Sequence, residues 1–127
     1  MASHAGRRHA HVHIKRAYDP AEPDDGYRVL VDRLWPRGVS RDEIVFDEWN
    51  KELAPSPSLR TWFGHKVENW EEFSKRYRLE LKAPDQQQRM RDLISSAKEK
   101  PITLVYAAKD VEHNHAVVLA TEIKGLY

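Results

Sequence analysis

The chain has 127 residues and a nearly balanced charge, 21 basic against 20 acidic, with 40% hydrophobic and 32% charged content. That length fits one domain with its own core, and a net charge of +1 gives no global electrostatic case for nucleic acid. The lack of cysteine removes disulfides, thiolate metal sites and cysteine nucleophiles and fits a reducing cytosol, while no apolar run approaches the roughly 18 residues of a membrane span and no apolar signal segment opens the chain.

Residues 1–10 are small and polar, with His4, Arg7, Arg8 and His9 and no acid, and read as a flexible basic arm ahead of a single α/β domain over 11–127. From His11 the residues alternate, as in a short strand half-buried on one face. His9, His11 and His13 share one face of it. Alternate histidines can share a metal ion, but no carboxylate stands beside them, so a solvated edge strand is preferred and no metal site is expected. Tyr18-Asp19-Pro20 and Pro23-Asp24-Asp25-Gly26 carry dense turn chemistry and read as a connection.

The segment Gly26–Gly38, GYRVLVDRLWPRG, is the most informative stretch. Val29-Leu30-Val31 is a continuous β-branched and apolar block, as expected of a strand covered on both faces. Pro36 cannot donate to a sheet ladder and Gly38 follows closely, so the chain must leave the sheet there. Asp32, Arg33, Trp35 and Arg37 therefore collect where a buried strand ends. Ile44-Val45-Phe46 reads as a short strand or an aromatic-packed turn, and Trp49 with Leu53 as weak helical spacing.

Ser56-Pro57 opens a helix, with serine as cap and proline in the first turn, and Gly64 stops it. Asn69 with Glu72 three residues on has the spacing of a capping box. It leads into Trp70, Phe73, Tyr77 and Leu81 at helical spacing, a buried stripe more readily than a base-stacking platform. Pro84 starts a third helix with Met90, Leu93, Ile94 and Ala97 inward. Ile102–Ala107 is a second strand apolar on both faces, and HAVVLATEIK after Asn114 is a last helix stopped by Gly125. The order predicts a small three-layer α/β domain with a mostly parallel central sheet flanked by helices, the two apolar strands adjacent and parallel.

A second charged cluster, residues 107–116, lies between the last strand and the last helix. Parallel neighbours would place it beside the first cluster, because ligands bind at the carboxyl ends of such strands. The expected pocket then holds an anionic, phosphate- or carboxylate-bearing ligand with Arg33, Trp35, Arg37, Lys109 and Asn114. His115 would be acid or base, and Asp32 its orienter or a base itself. Read plainly, the same residues are sheet-margin ion pairs, a helix cap and a core histidine. The sequence names no cofactor, because neither GxGxxG, GxxxxGK[ST] nor GxSxG occurs. The competing function is a non-enzymatic nucleic-acid-binding or regulatory module using Arg7, Arg8, Lys15 and Arg16 as a local basic patch.

YDP at 18–20, GYRVLVDRLWPRG at 26–38, APSPSLRTWFGH at 54–65 and TLVYAAKDVEHNHAVVL at 103–119 resemble the YeaO-like branch of the domain-of-unknown-function family 488. The resemblance covers nearly everything after residue 11, and its DRLWPRG block is very specific. It implies a small α/β domain of the bacterial cytosol and no established activity. Other branches of that family carry Cys-His-Arg after the last strand. The matching positions here are Asn114, His115 and Ala116, so only the histidine is kept and no thiolate chemistry is implied.

Overall fold

The computed structural model describes residues 11–127; the arm at 1–10, with His9, Arg7 and Arg8, lies outside the described residues. Four strands, β1 (Val12–Arg16), β2 (Tyr27–Leu30), β3 (Glu48–Trp49) and β4 (Ile102–Tyr106), form one wholly parallel sheet in the order β1-β4-β2-β3. The two apolar blocks are its central strands, with Val29 opposite Leu104 and Leu30 opposite Val105.

Among the described residues four α-helices lie on one face: α1 (Pro57–Phe63), α2 (Trp70–Leu81), α3 (Pro84–Ala97) and α4 (His115–Lys124). Their buried side chains, among them Phe63, Phe73, Tyr77, Met90 and Leu119, pack on Val12, Val29, Ile102 and Leu104 of the sheet. The alternate strand residues Leu30 and Val105 point to the other face, covered by Ile44, Trp35, Val39, Phe46 and Trp49. The three layers are therefore helices, sheet and an irregular connection. That connection holds Pro36 and Gly38 and lacks a 3.6-residue period, so it covers the sheet with separate aromatics instead of a helical stripe. Ile44–Phe46 forms no strand; the edge strand is Glu48–Trp49, and residues 51–53 make a single 3-10 turn.

The end signals fall in two groups. Ser56 accepts from the Leu59 amide, Gly64 closes α1 in the left-handed region at φ 54°, and Asn114 accepts from the Val117 amide. Asn69 makes no cap bond, because a 3-10 turn at Val67–Asn69 runs directly into α2 and holds Asn69 in helical geometry; its side-chain amide donates to the Trp62 carbonyl instead.

Ahead of β2, Gly26 sits at φ 67°, and a Cβ there would fall 2.3 Å from the Pro101 carbonyl oxygen. That same carbonyl accepts from the Tyr27 amide at 2.8 Å, fixing the register of β2 on β4. Asp25, 8% exposed, accepts from Lys15 at 3.2 Å and from the Glu22 amide at 3.0 Å, and pairs with the buried Arg28. Burial alone would raise the Asp25 pKa; the bonds from Glu22, Lys15 and Arg28 outweigh it and hold the carboxyl below its usual range.

Candidate functional site

Because β2 and β4 are parallel neighbours, both charged clusters emerge at the same sheet edge. Asp32 ties them together: its Oδ2 accepts from the Ala107 amide at 3.0 Å, stapling the end of β2 to the end of β4. Beside this staple opens a cavity of about 300 Å³. Asp32, Arg33, Trp35, Arg37, Asn114 and His115 line it, with Ala54, Pro55, Phe63, Phe73, Ala107 and Ala108 supplying apolar wall and backbone. Two further side chains reach it, the guanidinium of Arg60 from α1 and the imidazole of His65 from the turn after α1.

His115, the first residue of α4, is turned by the helix start toward the β2 terminus. Its Nε2 lies 3.0 Å from the Val31 carbonyl oxygen. A carbonyl only accepts, so Nε2 carries the proton and Nδ1 of the neutral ring is the acceptor. Asp32 Oδ1 lies 3.3 Å from the same nitrogen, but the N–H is directed at Val31, and Oδ1 is buried without a hydrogen-bond partner. The bond to Val31 sets the ring's orientation and tautomer. The ring edge also meets Tyr77, centroids 6.4 Å apart.

The cations differ in freedom. Arg33 is half-buried and donates to the Ala54 and Pro55 carbonyls at 3.3 to 3.4 Å, which aims its guanidinium at the cavity wall. Arg37 and Arg60 are exposed at the mouth. None of Arg33, Arg37 and Arg60 pairs with a carboxylate among the described residues. Asp32 is the one acid in the lining.

One expected ligand residue lies outside the pocket, and another stays in its wall with its amide already engaged. Lys109 is exposed and outside the lining, because β4 ends at Tyr106 and Ala107 and Ala108 form the wall there. Asn114 is 1% exposed with both ends of its amide used: Oδ1 accepts from Val117, and Nδ2 donates to the Asp110 carbonyl at 2.9 Å. It shapes the wall as cap and staple. His13 is exposed on β1 and His11 is exposed just before it, and no group of three or more metal-ligating side chains occurs among the described residues.

Residues 11–126 match the family described as the inactive DUF488-N3 subclade. The chain belongs to the DUF488 family. It is 46% identical over 116 residues to the uncharacterized protein YeaO of Escherichia coli (strain K12), across 91% of this chain and 98% of that one. It is 39% identical over 118 residues to the uncharacterized proteins Rv3073c of Mycobacterium tuberculosis and Mb3100c of Mycobacterium bovis, across 93% of this chain and 98% of each of those. No solved structure matches the chain. In this DUF488 chain Arg60 and His65 are the pocket residues that sequence reading passes over. Arg60 follows Leu59 and precedes Phe63 by three positions, so it borders the buried stripe of α1. His65 stands at φ 58°, directly after a left-handed glycine, and turns back beside the Phe63 ring, centroids 6.0 Å apart.

Proposed function

We propose that this protein is a cytosolic binder of a small molecule bearing a phosphate or carboxylate, held in the pocket at the ends of β2 and β4 without turnover. One observation carries the reading: three guanidiniums with no carboxylate partner among the described residues surround a cavity whose lining holds a single acid, already committed to Ala107. Leaving three such cations close together costs electrostatic energy, which an anion with several oxygens relieves through bidentate contacts. Phe63, Phe73 and Trp35 in the lining suit an apolar body attached to that anion. His115 offers Nδ1 as an acceptor to a ligand hydroxyl or amine.

Two points favour binding over catalysis. The chain has no cysteine. The matching family is described as inactive. The lack of any helix long and apolar enough to cross a membrane, among the described residues, is compatible with a cytosolic place.

The test is a thermal-shift and calorimetric screen with phenyl phosphate, inorganic phosphate, phosphorylated sugars, nucleotides and short nucleic acids. Saturating a native-state site at a hundred times its Kd raises stability by about 2.7 kcal/mol. Phenyl phosphate should raise the midpoint, and Arg37→Ala should remove most of the rise. A rise with nucleic acid alone, indifferent to Arg37, would replace this reading with the basic-patch one. Hydrolysis of p-nitrophenyl phosphate that His115→Ala abolishes would make the protein an enzyme.

A further inference from the structure

On the side of the molecule formed by α2 and α4 a second, open cavity of about 590 Å³ runs between the two helices. Its floor is Ser74, 6% exposed, whose Oγ has no hydrogen-bond partner in a position where a helical serine usually bonds the preceding turn. Val117 and Thr121 of α4 form one wall, and Glu71, Lys75 and Arg78 of α2 line the other. Residues 71, 74, 75 and 78 follow an i, i+3, i+4, i+7 spacing, so they make one continuous stripe. Glu71 and Lys75 are spaced for an ion pair, yet Glu71, Lys75 and Arg78 make none among the described residues, whereas the neighbouring Arg76 pairs with Glu72 at 2.9 Å. The stripe is acidic toward the N-terminus of α2 and basic toward its C-terminus.

We infer that this groove is the contact face of a symmetric homodimer, in which α2 of one copy packs antiparallel on α2 of the other about a two-fold axis beside Ser74 and Lys75. The occupant is chosen by charge. A two-fold axis there sets position 71 of each copy against position 78 of its partner, so the acidic end of each stripe meets the basic end of the other, twice per dimer. Such an isologous contact requires one self-complementary patch, which an acidic-to-basic gradient along a single helix supplies. Ser74 keeps its part of the centre low, while Lys75 of each copy stands beside the axis and must splay outward from its like-charged mate. The groove lies away from the anion pocket, and no side chain lines both.

The experiment is sedimentation velocity on the full chain, with Glu71→Arg and Arg78→Glu made singly, mixed with each other, and combined in one chain. The native chain sediments as a dimer at micromolar to tens-of-micromolar concentration, and each single reversal raises the dimer dissociation constant by about tenfold or more, since two opposed pairs become like-charged. The equimolar mixture of the two single variants restores a dimer, because one variant is then basic at both positions and the other acidic at both, so opposite charges face each other at each end. The combined double variant restores it alone, with the charge order of the stripe inverted in both copies. Both positions are at the surface, so the variants should fold; far-UV circular dichroism checks this, and Glu71→Gln and Arg78→Gln serve if a reversal misfolds, each expected to weaken the dimer less. A native chain that stays monomeric at every concentration overturns the inference. So does a dimer that neither reversal weakens, or one that both weaken and the mixture does not rescue.

Discussion

At the scale of single residues, Arg37 and Arg33 look alike in sequence and do different things. Arg37 is exposed and ion-pair-free among the described residues, so Arg37→Ala should weaken phenyl phosphate binding by about 1.5–3 kcal/mol, the worth of a charged hydrogen bond. It should barely move the melting temperature, because a surface arginine contributes little to folding; calorimetry and thermal melts on one sample read both. Arg33 also holds the Ala54 and Pro55 carbonyls, so Arg33→Ala should cost stability as well as binding. Gly26→Ala should destabilise by more than about 2 kcal/mol in urea melts, since the added methyl meets the Pro101 carbonyl and the backbone sits at positive φ. Residue types were readable from the sequence at all three places. Their partners were not, because Ala54, Pro55 and Pro101 are brought close only by the sheet. Asn114 shows the same limit: its cap role follows from its place before an apolar helix, but the bond to Asp110 that occupies its other end depends on a loop with no periodic signal.

At the scale of elements, the network around Asp25 joins the turn before β2 to β1 through Lys15 and to β2 through Arg28. Asp25→Ala leaves Arg28, 4% exposed, without its carboxylate, and should cost about 3–5 kcal/mol in denaturant melts. The pH dependence follows from the lowered Asp25 pKa. A depressed carboxylate contributes stability that is fully present above its unfolded value near 3.9 and is lost as pH falls through the lower folded value. Acid titration of the wild type should therefore show a loss of stability below about pH 4 that Asp25→Ala flattens. Within the helical layer, Tyr77 is fully buried and donates to the Leu53 carbonyl at 2.5 Å, and burial raises its pKa well above the usual value. Tyr77→Phe should cost about 1–3 kcal/mol by stranding that carbonyl. The stripe of α2 was legible because its period is strong. The sheet's second face was not, since Trp35, Val39, Ile44 and Phe46 share no spacing and become a cluster only when laid across Leu30 and Val105.

At the scale of the whole molecule, the parallel pairing of β2 with β4 is what makes a site possible, because it brings residues 32–37 and 107–115 to one edge. Two-sided apolar strands predicted that pairing. Arg60 and His65 were invisible by the same logic: they enter through α1, whose docking beside the pocket depends on Phe63 packing against Phe73, centroids 4.2 Å apart, and no local pattern announces a helix-to-helix contact. Everything proposed for the pocket depends on its cations holding one anion together. Titrating phenyl phosphate into isotope-labelled protein at constant ionic strength, with backbone amides followed by NMR, decides whether they do. Saturable shifts confined to residues 33–37, 60–65, 107–108 and 115, greatly reduced in Arg37→Ala, are the expected result. Shifts that never saturate, spread over the surface, or persist unchanged in that variant would contradict it.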